Sequence, residues 1–249
     1  MQCFSNKRLG YVTAACALLL LAWDATGLDL PLAQVFGGSA GFPLQDHWLL
    51  TQVLHSGARN LAWGLVALLW VGVWRPVGSL RRIAYGHRLQ WAITTLAAVT
   101  TVSLLKAAST TSCPWSLTDF GGVAQYGSHW THLFGSNGGG GGCFPAGHAS
   151  TGFAFLGGYF AYRSTDPRRA RAWLVGALVA GLVLGVAQQV RGAHFMSHTV
   201  WSGWVCWCVA WGIEAVAQRA RSRARRDADT DVLAAPAGAP TVPAIAAAR

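Results

Sequence analysis

Six long apolar runs constrain this chain more than anything else in it. They lie at roughly 9–30, 60–74, 89–105, 146–162, 172–190 and 199–216. A hydrocarbon layer about 30 Å thick is crossed by about 20 apolar residues in a helix, and shorter runs manage with help from flanking anchors. Only 11% of the residues are charged and 53% are hydrophobic, whereas soluble domains carry about 25% charged residues. Thirteen tryptophans suit membrane–water interfaces. The pattern predicts an all-α, polytopic membrane protein built as a six-helix bundle. The first run, preceded by Lys7 and Arg8, has the look of a signal peptide. No small-residue cleavage site follows, and the chain runs on through Asp24 and Asp29, so it is read as an uncleaved first helix.

Charge orients the bundle. Of the 19 Lys and Arg residues, all but Arg59, Lys106 and Arg191 fall on one side when successive connections alternate. Basic residues accumulate on the cytoplasmic side, so both termini are predicted to be cytoplasmic and residues 31–59, 107–145 and 191–198 to face outward. The net charge of +10 would suggest nucleic acid in a soluble protein. Here the basic residues lie between apolar spans, where they set orientation and meet anionic lipid, and no nucleic-acid partner is expected. Three parts follow: 1–59, a first helix and an outer loop with an interfacial helix near 46–55; 60–218, the membrane core; and 219–249, a tail that is basic and then, from Asp227, disordered by composition. His47 and His55 read as interfacial. Trp201, Trp204, Trp207 and Trp211 share one helix face and read as a lipid-facing or interfacial stripe.

The outward side carries the candidate chemistry. After the glycine-rich stretch 135–142 comes Cys143-Phe144-Pro145-Ala146-Gly147-His148. Pro145 suits a first helical turn, Gly147 allows close approach of the backbone, and His148 falls at a helix N-terminus, which favours an anion. Lys106, Arg191, His194 and His198 lie at other span ends on the same side. Ionisable groups at membrane depth are functional candidates by default, although Lys106 alone reads equally as a snorkelling anchor and the histidines as capping residues. Together they suggest a shared pocket for the phosphate of an amphipathic substrate. Cys16, Cys206 and Cys208 lie in apolar runs, and Cys206-Trp207-Cys208 is too closely spaced for a usual metal pair. No metal or other cofactor is expected.

These residues resemble the type 2 phosphatidic acid phosphatase superfamily, over roughly 60–216. The family's first motif is Lys, six residues, then Arg-Pro; here Lys106 is followed by six residues and Cys113-Pro114. Its second is Pro-Ser-Gly-His; here it is Pro145-Ala146-Gly147-His148. Its third is Ser-Arg, five residues, His, three residues, Asp; here it is Ala187-Gln188, then His194 and His198. The resemblance implies that His194 is the nucleophile, forming a phosphohistidine. His148 would protonate the leaving oxygen and then activate water, while Lys106 and the Gly147 amide hold phosphate oxygens. Such chemistry rests on positioning and charge stabilisation.

The departures are specific. Both motif arginines are replaced, by Cys113 and Gln188, and the motif serine by Ala146. Arg191, three residues after Gln188, is placed to reach the same pocket if the connection turns tightly. His198 stands where the family has the aspartate that orients the nucleophile, and as a neutral ring would accept the His194 N–H. A second register makes Arg191 the motif arginine and His198 the nucleophile, at the cost of one extra residue. Because the motifs converge in the family fold, the resemblance also implies that Cys113 and Cys143 approach, and on an oxidising side they would form a disulfide. The expectation is a bacterial inner-membrane phosphatase acting at the periplasmic face on a lipid phosphate or diphosphate, with no obligate protein partner. The alternatives are a lipid phosphotransferase using the same site, or a catalytically impaired lipid-phosphate-binding protein.

Overall fold

The computed structural model of the protein describes residues 6–132 and 135–234. Its elements are α1 (Asn6–Thr26), α2 (Asp29–Gln34), a π-helical stretch Leu49–Gly57 that runs straight into α3 (Ala58–Trp74), and α4 (Tyr85–Ala108). Then come α5 (Gly147–Phe153), α6 (Gly157–Tyr162), α7 (Pro167–Val190) and α8 (Met196–Ala234). Among the described residues there are no strands, only two isolated bridges in the loops. Five helical stretches are long and apolar enough to cross a membrane: Lys7–Thr26, Leu49–Arg82, Tyr85–Ala108, Pro167–Val190 and Met196–Ala228.

The run at 146–162 departs from the expected span. It is helical, but α5 and α6 meet through a single 3-10 turn, Ala154–Leu156. The rod lies at the centre of the bundle, with residues 152–162 all buried. Small residues place it there, since bare backbones pack closely where side chains are missing. A Cβ at Gly152 would meet the Gly181 nitrogen at 2.3 Å, and one at Gly158 would strike the Trp173 and Trp91 rings. Around the rod, Phe153, Tyr159, Phe160 and Trp91 fill the main core.

The expected interfacial helix near 46–55 also takes another form. Its apolar residues continue the axis of α3, so this span starts at Leu49 and carries His55 to the outer end of the bundle. The tryptophan stripe of α8 packs against α1 instead of lipid. The Trp204 indole donates to the Thr13 carbonyl (3.1 Å) and Trp207 to Thr13 Oγ1 (2.8 Å), while Trp211 lies against Gly10. Indole N–H groups need acceptors when buried, and α1 supplies them. Helix α8 runs past Asp227 to Ala234, further than composition suggests; residues 235–249 of the expected tail lie outside the described residues.

The two ends of the bundle differ. At one, Glu214 is 3% exposed and accepts from Gln90 (2.6 Å), Arg163 (3.0 Å) and Gln218 (2.7 Å), with Arg221 at 3.3 Å. Asp166 caps α7 there, accepting from the Arg169 amide at 3.1 Å, with Pro167 in the first turn. At the other end, Phe42, Leu117, Phe120 and Phe195 form a second apolar cluster that holds the outer loops together. Gly192 makes this possible: its φ is +75° and a Cβ there would strike the Phe42 ring. Its carbonyl accepts from the Trp115 amide at 2.9 Å.

Candidate active site

The second apolar cluster fixes the connection between α7 and α8, and with it Arg191 and His194. The loop before α5 is laid across this connection. The Ala146 amide donates to the His198 carbonyl (3.2 Å) and the Ser202 hydroxyl to the Ala146 carbonyl (3.0 Å). Pro145 therefore sits just before the helix, with Ala146 as its N-cap, rather than inside the first turn. The amides of Gly147 and His148 are left among the orphan donors of the helix start. Lys106, in the last turn of α4, lays its stem along this start: a Cβ at Gly147 would lie 3.5 Å from Lys106 Cδ.

Cys113 and Cys143 are paired in a disulfide, with Cα atoms 5.2 Å apart, and Cys143 Sγ lies 3.1 Å from the Ala193 carbonyl oxygen. The Cys143 carbonyl is 2.7 Å from His194 Nδ1. A carbonyl can only accept, so Nδ1 carries the proton and the Nε2 lone pair is free. His194 is 3% exposed. Burial, then the nearby charge of Lys106, push its pKa down to about 3, against the opposing effect of the Cys143 carbonyl. The ring is thus neutral and oriented at ordinary pH, the state a nucleophilic imidazole requires.

The orienting acceptor of His194 is therefore the Cys143 carbonyl rather than His198. The loop tied down at Cys143 reaches His194 first, and the His198 ring stands off at 5.9 Å between centroids. His198 is 1% exposed and its Nδ1 has no hydrogen-bond partner. Arg191 does turn back on Gln188: its Nη1 donates to Gln188 Oε1 at 3.1 Å and its Nε to the Gln45 carbonyl at 2.7 Å. The guanidinium thus reaches the side chain that occupies the motif-arginine position, while Gln188 Nε2 is buried without a partner.

Two residues join the site that the sequence assigned to the interface or left aside. His55 stacks on His148, with ring centroids 3.7 Å apart, and Arg59 follows one turn later. The charges of Arg59, Lys106 and Arg191 all act on the His55 and His148 rings. Their spacing, His55 and Arg59 at i and i+4, was the available signal, but only once 49–57 was taken as the continuation of a span. Between α3, α5 and α7 an apolar groove of about 670 Å³ descends from Ala58 and Thr151, beside this cluster, past Leu61, Leu65, Phe155 and Trp173.

The fold and site define a class: an all-helical membrane protein with a cluster of cationic groups and histidines at one end of the bundle, beside an apolar groove. The chain matches the PAP2 superfamily over residues 88–222, more than half of its length, and belongs to that superfamily. Members of the superfamily are phosphatases, so the general class of activity is phosphoester hydrolysis, on a multi-pass membrane scaffold. No curated protein and no solved structure matches the chain.

Proposed function

We propose that this protein is a bacterial inner-membrane phosphatase that hydrolyses a lipid phosphate or diphosphate at the periplasmic face. Its six apolar runs all belong to the membrane bundle, the central one as the buried rod, and both termini are cytoplasmic. The observation that supports the proposal is the His194 ring, pinned through Nδ1 with Nε2 free, on which the charges of Lys106 and His148 act. In this reading Nε2 attacks phosphorus, the bond to the leaving oxygen breaks, and His148 gives that oxygen its proton. Water, deprotonated by His148, then cleaves the phosphorus–nitrogen bond. An entering phosphate brings negative charge beside His148, which favours the protonated ring the first step needs. Lys106, Arg191 and the Gly147 amide hold the phosphate oxygens, with Arg59 and His55 adding to the field. The apolar groove supports a hydrocarbon chain on the substrate, since its volume falls within the usual range of ligand sites. A disulfide at Cys113–Cys143 agrees with an oxidising, periplasmic side.

A lipid phosphotransferase would use the same phosphohistidine with a lipid acceptor in place of water. Replacement of the motif arginines by Cys113 and Gln188 favours a third reading, a lipid-phosphate-binding protein without turnover, because bidentate clamps are lost. The test is phosphate release in detergent with EDTA present, from a panel of lipid phosphates and diphosphates, with and without a lipid acceptor. Release or transfer should vanish in His194→Ala and fall about a hundredfold in Arg191→Ala. No turnover from any substrate or acceptor would leave the binding reading in place.

A further inference from the structure

The groups that act on His194 are Lys106, His148, His55 and the Cys143 carbonyl, with no carboxylate among them in the described residues. When Nε2 bonds to phosphorus the ring gains positive charge, which a carboxylate partner would balance. The nearest candidate arrangement begins at the far side of His198. The His129 ring lies edge-on to His198 with centroids 5.7 Å apart, and Phe144 fixes both. Phe144 stacks on His129 at 4.0 Å and 10°, and meets His198 at 5.3 Å. Beyond His129 is Asp24, from the end of α1: His129 Nε2 is 3.4 Å from Asp24 Oδ2, and the two side chains are 3% and 5% exposed. This contact is a close ion-pair approach rather than an aligned hydrogen bond, because His129 Nε2 has no hydrogen-bond partner.

Three buried polar atoms on these side chains are therefore left without hydrogen-bond partners: His198 Nδ1, His129 Nε2 and Asp24 Oδ1. Buried polar atoms without partners are costly, and a set of them across three distant segments calls for a reason. They share a small polar cavity lined by Trp23, Asp24, Asp29, Tyr126, His129 and His198. It has the size and the polar partners to take a bridging water. The other Asp24 oxygen already accepts from the indoles of Trp130 (2.7 Å) and Trp201 (2.9 Å), so the carboxylate is firmly held.

We propose that Asp24 and His129 are positioning residues that act through His198, together replacing the single carboxylate that the site lacks beside His194. This rests on the phosphatase reading. Asp24 supplies the negative charge and holds His129, His129 and Phe144 fix His198, and His198 braces the nucleophile's ring as that ring becomes cationic. No proton leaves the chain; the arm balances charge and keeps His198 in one tautomer.

The test uses the full chain in detergent, labelled with ¹⁵N-histidine, as wild type, Asp24→Asn, His129→Gln, His198→Asp and the Asp24→Asn/His198→Asp double variant. Asp24→Asn retains an oxygen for the two indoles and removes only the charge. Asp24→Asn and His129→Gln should each lower kcat about tenfold or more with KM little changed. His198→Asp puts a carboxylate directly beside His194, so in that background Asp24→Asn should cost less than about twofold. An equal loss in both backgrounds, or a change confined to KM, would overturn the proposal and leave Asp24 as a fastener of α1. Ring spectra without substrate give an independent arm: Asp24→Asn should shift the His129 and His198 nitrogens and leave those of His148 and His55 in place. If the wild type turns over no lipid, the phosphatase reading falls and the spectra decide alone. An unmoved His198 signal would then overturn the arm, and a shifted one would sustain it.

Discussion

At the scale of single residues, the environment of His194 sets a pH dependence whose sign can be worked out. Its folded pKa is near 3 and its ordinary value is 6.5, so between these limits the unfolded chain binds a proton that the folded chain refuses. Its contribution to stability is complete above about pH 6.5 and is lost progressively as pH falls from there to about 3. Thermal unfolding in detergent should show this slope, and His194→Phe should flatten it; an unchanged slope would mean that the ring is not buried neutral. The same argument places any acid limb of kcat/KM on a group other than His194. That His194, His148 and Lys106 come near one another was legible in the sequence because motif spacing records them. His55, Asp24 and His129 were not. Each enters through a contact across many tens of residues, and an isolated histidine in a loop carries no local sign of what it will stack on. The acceptor on His194 Nδ1 was missed for a related reason: spacing counts side chains, whereas this acceptor is the Cys143 backbone carbonyl, invisible to residue type.

At the scale of elements, the closest approach in the bundle is between α5 and α7, where Gly152 faces Gly181 with no room for a methyl group: a Cβ at Gly152 would also lie 2.7 Å from the Ala180 carbonyl carbon. Because the obstacles are backbone atoms, no rotamer change relieves them, and the helices must separate. Gly152→Ala should therefore cost about 1–3 kcal/mol and, since α5 carries His148, reduce turnover as well. Gly176→Ala, on α7 with nothing within 4 Å of an added Cβ, should be close to neutral. Equal melting temperatures for the two variants would show that this crossing does not limit stability. Apolar runs reported the positions of the helices faithfully, because length and hydropathy are what a bilayer selects. They did not report that the central run would be split and fully enclosed. Enclosure comes from glycines on the run meeting close-packed partners, Gly152 against Gly181 and Gly158 against Trp91 and Trp173, and which partner each glycine meets is not written in the run's composition. For the same reason the tryptophan stripe of α8 was read as facing lipid when it faces α1.

At the scale of the whole molecule, two independent features speak to the same orientation. Excess basic residues lie at the end of the bundle that holds Glu214, Arg163 and Arg221, and the disulfide lies at the opposite end, with the histidines. A disulfide is favoured on an oxidising side, and charge bias would put the basic loops in the cytoplasm; the two expectations agree on the direction proposed above. Closing the loop between Cys113 and Cys143, 30 residues apart in sequence, should add about 3–4 kcal/mol by restricting the unfolded chain. It also holds the Cys143 carbonyl against His194, so stability and the tautomer of His194 are linked through one bond. Intact cells provide the test. A cysteine introduced by Val123→Cys, at a position 76% exposed, should react with a membrane-impermeant maleimide. One introduced by Arg168→Cys, at an exposed position in the first turn of α7, should react only after lysis. Cys113 and Cys143 should resist alkylation until reduced, and reduction should lower both the melting temperature and kcat. Labelling with the two positions reversed would invert the protein in the membrane and place the site in the cytoplasm, where the disulfide could not be maintained and the nucleophile would lose its brace.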